Sequence, residues 1–187
     1  YTPGSVWNAF GAYAALTNGV PASETTFCPG FATFYGRRFR CHGAHGTVDL
    51  PRALQVSCDV WFYNAGRRLG VDALAEAART FGFGRPAGVD LASEKAGNVP
   101  STAWSQSVRR HPWYPGETIS VAIGQGPLLV SALQTARAFS ALANEDGALP
   151  VPHLFRIGEH VRSGARVAYR PPVTERVPFP PGVRETI

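Results

Sequence analysis

Glycine and proline punctuate this sequence so densely that few long elements can form: 20 glycines and 16 prolines are spread through 187 residues. Proline lacks a backbone donor and glycine favours turns, so a chain interrupted this often is built from short helices and hairpins joined by loops. No internal repeat or low-complexity tract breaks the pattern. With 44% hydrophobic residues the chain can bury one core of ordinary size, so one domain, or part of one, is expected. Its apolar runs fall far short of the roughly 18 residues that would span a bilayer, and the first residues lack a charged segment followed by an apolar one. The sequence begins at Tyr1 without a methionine and stops at Ile187 in a proline-rich stretch, so it is expected to be cut from a longer chain.

Helical spacing follows Ser5, which reads as an N-cap: Val6, Trp7, Phe10, Tyr13, Ala14 and Leu16 recur on one face, and Asn18-Gly19 ends the run. Residues 21–48, rich in Gly, Pro and aromatics, predict irregular hairpin-like structure. Asp49 caps a second helical region with Pro51 in its first turn, passing Leu54 and Ser57 and stopping near Gly70. A short helix over Val71–Phe81 buries Leu74, Ala77, Ala78 and Phe81, and residues 83–118 read as a long loop. "ISVAIGQGP", residues 119–127, reads as a glycine-rich strand whose backbone passes close to a ligand or another element. A helix from about Ser131 to Asn144 turns Leu133, Ala136, Phe139 and Leu142 or Ala143 inward, with Gly147 past its end. From Leu149 onward, Pro150, Pro152, Pro171, Pro172, Pro178, Pro180 and Pro181 favour extended strands and turns.

The net charge of +5 comes almost wholly from arginine, because Lys95 is the only lysine. Arg37, Arg38, Arg40, Arg109, Arg110 and Arg162 are scattered among prolines and aromatics rather than grouped as a nucleic-acid arm, so no nucleic-acid partner is expected. A solvated basic face near an anionic surface fits better. The 3 cysteines, Cys28, Cys41 and Cys58, cannot all pair within one monomer. With His45 they form C-x12-C-x3-H-x12-C, and three thiolates plus one imidazole are a closed tetrahedral set suited to structural Zn²⁺. The alternative is three buried free thiols and a surface histidine, with His42 as a competing ligand.

Ser5 itself has two readings: a plain cap, or a nucleophile whose oxyanion would be stabilised by the free amides and positive end of the helix. The rest of the chain bears on the choice. "YTPGS" before the first helix, Ser57-Cys58-Asp59 about fifty residues on, "VAIGQG", and "PLLVSALQTARAFSALANEDGALPVPHL" resemble, in order and spacing, the transpeptidase domain of class B penicillin-binding proteins. "LPRALQVSCDVWFY", "GVDLASEKAGNVP" and "HPWYPGETISVAIGQG", with His45-Gly46, extend the resemblance along nearly the whole chain to the elongation-type branch, penicillin-binding protein 2.

The resemblance implies that Ser5 is the nucleophile of a Ser-x-x-Lys motif in which the lysine accepts the serine proton. Here Asn8 stands in the lysine's place. An amide can hold a hydroxyl but has no usable basicity near neutral pH, so acylation should be crippled, and Lys95, in a polar loop, is a poor substitute. Either the lysine was replaced deliberately or this is a natural copy that no longer acylates. The second motif would supply Ser57 to pass a proton and Asp59 to orient its neighbours or the donor peptide. The third, Lys-Ser/Thr-Gly on a strand, is absent, and the resemblance places it downstream of Ile187. Some elongation-type members carry zinc on Asp, His and Cys at the matching places; Cys28 and Cys41 would replace the carboxylates, beside His45 and Cys58.

The expected fold is therefore α+β, of the serine β-lactamase and transpeptidase type, represented over residues 1–187 mainly by its helical part with an incomplete sheet. The implied reaction is peptidoglycan D,D-transpeptidation through a serine acyl-enzyme on D-Ala-D-Ala stem peptides in cell-wall elongation, with β-lactams acylating the same serine. A membrane anchor outside this segment, a periplasmic or extracytoplasmic setting and a SEDS-type glycosyltransferase partner are further implications. A noncatalytic scaffold or β-lactam-sensing domain is the alternative, and a serine β-lactamase is disfavoured because no deacylation base is identifiable.

Overall fold

The computed structural model describes residues 1–154, 157–168 and 173–187. A 3-10 turn, Gly4–Trp7, runs directly into α1, Asn8–Thr17. Ser5 therefore lies inside the first turn and does not cap it. Pro3 already has helical angles, φ −70° and ψ −24°, so the turn begins too early for Ser5 to occupy the cap position. α1 is buried nearly all round, with Phe10, Tyr13 and Ala14 in one apolar cluster and Ala12 and Ala15 in another. Such a helix belongs to the middle of a core.

The hairpin-like region takes shape as two antiparallel pairs. β1, Thr26–Cys28, pairs with β4, Gly46–Val48; between them β2, Phe31–Phe34, pairs with β3, Arg37–Arg40. The β2–β3 turn is Tyr35-Gly36, both left-handed at φ 51° and 75°, the geometry whose twist suits a two-residue hairpin. Asp49 caps α2, Leu50–Gln55, by accepting the Arg52 amide at 2.9 Å. After a break at residues 56–58, α3 covers Asp59–Thr80 and bends at Gly70, φ 80° and ψ 168°, where a stop was expected. Beyond the bend Leu74, Ala77, Ala78 and Phe81 are all buried, as their spacing predicts.

Two expectations need correction. The 119–127 stretch is not a strand: α5 spans Pro115–Ala122, opened by Pro115 and by Glu117 accepting the Tyr114 amide at 3.3 Å. Its buried residues Thr118, Ile119, Val121 and Ala122 fit a helical stripe, which intervening small residues disguise as alternation. The loop before it also holds α4, Thr102–Trp104, and a π-helical turn, Ser105–Arg109. In α6, Ala132–Ala143, the fully buried residues are Gln134, Arg137, Ala138 and Ala141; of the expected inward face, Leu142 packs partly buried against the core and Phe139, though exposed, meets the Phe10 ring at 5.2 Å, while Leu133, Ala136 and Ala143 are not buried. Polar side chains win because each finds buried partners. Gln134 caps the helix with Ser131 and donates to the Arg85 and Ala96 carbonyls at 2.6 and 2.8 Å. Arg137 donates to the Pro150 carbonyl at 2.9 Å and to Glu175 at 3.0 Å.

From Gly147 onward the described chain is mostly extended, as expected. β5, Ala148–Pro150, pairs with β8, Val173–Arg176, and β6, Ile157–Glu159, with β7, Arg166–Ala168, before a short α7, Val183–Thr186. The same expectation at residues 155–156 and 169–172, including Pro171 and Pro172, lies outside the described residues. Among the described residues the strands form four two-stranded pairs, and no helix is long and apolar enough to cross a membrane.

Candidate functional site

The start of α1 is positioned from across the chain. The Gly4 amide donates to the Gly124 carbonyl at 2.9 Å, and Gly124, just past α5, is left-handed at φ 71°. A Cβ there would collide with the Gly4 carbonyl and come within 2.7 Å of Trp7 Cβ, so this approach needs glycine. The expectation that this stretch brings backbone close to another element thus holds, although in a helix-to-turn setting. Ser5 is exposed, and its hydroxyl has no hydrogen bond to a side chain or backbone group among the described residues.

Asn8 follows one turn later, where 3-10 geometry brings side chains three apart onto one line. Its side chain is buried at 3% exposure, and Nδ2 donates to Ser57 Oγ at 3.1 Å. Two expected site residues, far apart in sequence, therefore meet. Asn8 Oδ1 has no partner among the described residues, nor does the neighbouring Trp7 Nε1. Ser57 is held in a left-handed conformation, φ 50°, between α2 and α3. A non-glycine residue there costs about 1–3 kcal/mol and persists only when its surroundings enforce it. Here the Cys58 amide bonding to the Ala53 carbonyl at 2.8 Å closes the turn.

Asp59 begins α3 directly after this turn, yet its ion-pair partner is His42, with Nδ1 and Oδ2 3.8 Å apart. Burial pushes its carboxyl up and His42 offsets this only in part. His42 Nε2 lies 3.0 Å from the Val56 carbonyl, so the histidine grips the segment on both sides of Ser57.

The ligand atoms of Cys28, Cys41, His45 and Cys58 all lie within 4.8 Å of one another. His45 Nδ1 is 3.7 Å from Cys28 Sγ and 3.6 Å from Cys41 Sγ. A tetrahedral zinc ion, with Zn–S about 2.3 Å and Zn–N about 2.0–2.1 Å, would hold sulfur and nitrogen roughly 3.6 Å apart. The donor set fits a metal in number, chemistry and spacing. As free thiols the three resist ionising together: burial, then Cys28 and Cys41 alongside, push Cys58 up to about 12. His42, the competing ligand from sequence, falls instead into a looser group with Cys41 and Asp59.

Lys95 is exposed in the loop before α4 and makes no described contact with Asn8 or Ser57. Several residues that sequence reasoning did not single out line a cavity together with Arg37, one of the scattered arginines. Tyr35, Arg37 and Phe39 of the β2–β3 hairpin face Tyr114 and Ser120 across a cavity of about 300 Å³. The signal available was "FYGRRFR", aromatic and basic residues alternating about a Tyr-Gly turn.

Residues 1–186 match the family described as penicillin binding protein transpeptidase domain. Peptidoglycan D,D-transpeptidase MrdA of Escherichia coli K12 is 38% identical over 159 residues, which cover 82% of this chain and 25% of the relative. The chain is thus similar to about a quarter of that protein. Penicillin-binding protein 2 of Pseudomonas aeruginosa in complex with WCK 5153 superposes with a TM-score of 0.83 at 31% identity, covering all of this chain and 42% of that one. A chain from a peptidoglycan synthase complex, described in terms of coordinated polymerization and crosslinking, gives 0.84 at 35% identity over 100% of this chain and 31% of that one. The fold is accordingly the α+β transpeptidase type expected from sequence.

Proposed function

Because the chain belongs to the penicillin-binding protein transpeptidase family, we propose that it is the partial transpeptidase domain of a peptidoglycan D,D-transpeptidase of the elongation type, with Ser5 as the acyl-accepting position. The observation that carries this is the Asn8–Ser57 hydrogen bond one turn below Ser5, which supports a site assembled from two distant segments. In the reaction Ser5 Oγ attacks the carbonyl between the two D-alanines of a stem peptide, its proton passes to the leaving D-alanine, and an amine of a neighbouring stem resolves the ester. A β-lactam would occupy the same serine. The Asn8 amide at the start of α1 already donates to the Ser5 carbonyl, so a donor for the developing oxyanion would have to come from the opening of the 3-10 turn at Ser5 itself. Under this reading Ser57, bonded to Asn8, would relay the proton, and Asp59 would hold the relay turn through its pairing with His42.

Asn8 cannot take the proton from Ser5, so the chain as it stands should acylate very slowly. That observation also favours a second reading, a noncatalytic scaffold or β-lactam-sensing domain in which the fold remains and the chemistry is gone. Fluorescent penicillin labelling of the whole protein with Asn8 and with Asn8→Lys separates them. Labelling only after the change supports a disabled enzyme; none in either supports the scaffold.

We further propose that Cys28, Cys41, His45 and Cys58 hold a structural Zn²⁺. The ion would supply a closed four-ligand clamp and no open position for chemistry. Through Cys58 it would fix the turn that carries Ser57. The Lys-Ser/Thr-Gly strand, a membrane anchor, an extracytoplasmic location and a SEDS-type polymerase partner belong to the whole protein under this reading. The partner is supported by the similarity to a chain of a synthase complex.

A further inference from the structure

We propose that the groove between the β2–β3 hairpin and α5 is a docking subsite for an anionic peptidoglycan strand, with Tyr35 and Tyr114 stacking on sugar rings and Arg37 pairing with a stem-peptide carboxylate. The inference rests on the transpeptidase reading above and extends it to a surface outside the reacting residues.

The hairpin register assigns its side chains to two faces. Phe34 opposite Arg37 and Ala32 opposite Phe39 share the inner face, and Thr33 opposite Arg38 and Phe31 opposite Arg40 share the outer one. Phe34 is buried, so the inner face is anchored, while Arg37, Arg38, Arg40 and Tyr35 are exposed. The arginines are not spent on carboxylates: none of the ion pairs among the described residues involves Arg37, Arg38 or Arg40. Arg37, the one of the three that lines the groove, lies over a ring instead, 5.3 Å from the Phe39 centroid. A guanidinium stacked in this way keeps its edge donors free for a planar anion.

Across the cavity, Tyr35 and Tyr114 are 62% and 59% exposed, large apolar faces with a polar tip. The one carboxylate lining the groove, Glu117, is held by Arg109 through two bonds of 2.6 and 2.8 Å, so it does not oppose an incoming anion as a free charge would. Both walls lead to the candidate site. β3 runs into Cys41 and His42 beside Asp59, with the Tyr63 hydroxyl donating to the Arg40 carbonyl at 2.9 Å. α5 runs to Gly124, which holds Gly4 next to Ser5. Positive charge, exposed aromatic rings and continuity with an acyl-transfer site match a sugar polymer bearing acidic peptides. A flat anionic membrane would use the arginines but not the concave aromatic walls.

The test measures binding of the whole Asn8 protein to soluble uncrosslinked glycan strands carrying stem peptides, compared with strands whose stem carboxylates are amidated and with phosphatidylglycerol vesicles. Arg37→Gln, and separately Tyr35→Ala, should each weaken strand binding at least tenfold. Amidation should weaken binding to the unsubstituted protein by a similar factor, an arm that needs no variant to fold. Variants and amidated strands within twofold of the parent would overturn the proposal, as would variants that lose only vesicle binding. Penicillin labelling of the Asn8→Lys protein with its hairpin intact reports on the serine separately. Labelling without arginine-dependent strand binding removes the groove and keeps the transpeptidase, whereas arginine-dependent binding without labelling keeps the groove and removes the transpeptidase.

Discussion

Replacing Asn8 by lysine in the whole protein should raise the rate of β-lactam acylation by ~10²- to 10⁴-fold, the usual worth of a positioned general base. That range corresponds to about 2.7–5.4 kcal/mol of barrier, at about 1.36 kcal/mol per decade. The structure favours the upper part of it. Asn8 is 3% exposed and its Nδ2 is 3.1 Å from Ser57 Oγ, so the position is already bonded to the residue proposed to relay the proton. Helical side chains lean toward the N-terminus, so the longer lysine would carry its amine past Ser57 toward Ser5. Burial and the positive helix end both disfavour the ammonium form, which leaves more of the neutral base near pH 7. Stopped-flow acylation with a fluorescent penicillin measures the rate, and Ser5→Ala in the lysine background should abolish covalent label. A rate within threefold of the Asn8 protein, or label that survives Ser5→Ala, would refute the assignment of Ser5 and Asn8 together.

Other consequences follow from the same geometry. Purified protein should contain one zinc per chain by elemental measurement; His45→Ala and Cys41→Ala should lose it while His42→Ala retains it, and equal retention in all three would remove the metal. Gly124→Ala should destabilise the protein by about 2–5 kcal/mol in urea unfolding, combining left-handed strain with overpacking against Gly4 and Trp7; a change below 1 kcal/mol would contradict the close approach. Glu175 is partly buried, which raises its pKa, but hydrogen bonds from Arg85 and Arg137 win and leave it below the ordinary value. Its contribution is therefore complete above the unfolded carboxyl pKa of about 4.3 and lost as pH falls through the folded value. Glu175→Gln should flatten the acid limb of stability against pH, and an unchanged limb would show that the network is not felt. Arg137→Ala should cost about 2 kcal/mol, because it strips donors from the Pro150 carbonyl and Glu175.

What the sequence disclosed depended on whether the information was local. Asp49 with Pro51 and the interruption at Gly70, a bend rather than the stop expected, were legible because cap and turn chemistry act within a few residues. The Cys28, Cys41, His45 and Cys58 set was legible because few residue types bind metals, though only folding shows that His45 joins the thiols and His42 faces Asp59. α5 was misread because glycine and serine blur a helical stripe, and α6 was rotated because hydrophobic periodicity cannot anticipate an arginine whose partners lie on another strand. The hydrogen bond between Asn8 and Ser57 was foreshadowed only by resemblance, since no local rule links positions that far apart.

The bond between the Gly4 amide and the Gly124 carbonyl, together with the Val130 amide donating to the Tyr1 carbonyl at 2.9 Å, has a consequence for the order of assembly. The turn that carries Ser5 is translated before its seat, which is made of residues more than a hundred positions further along the chain. Contacts of such long sequence separation form late. Nascent chains arrested before residue 124 should show no ordered turn at Ser5 in hydrogen exchange, so the turn proposed to carry the acyl group is seated only once Gly124 and Val130 have been made.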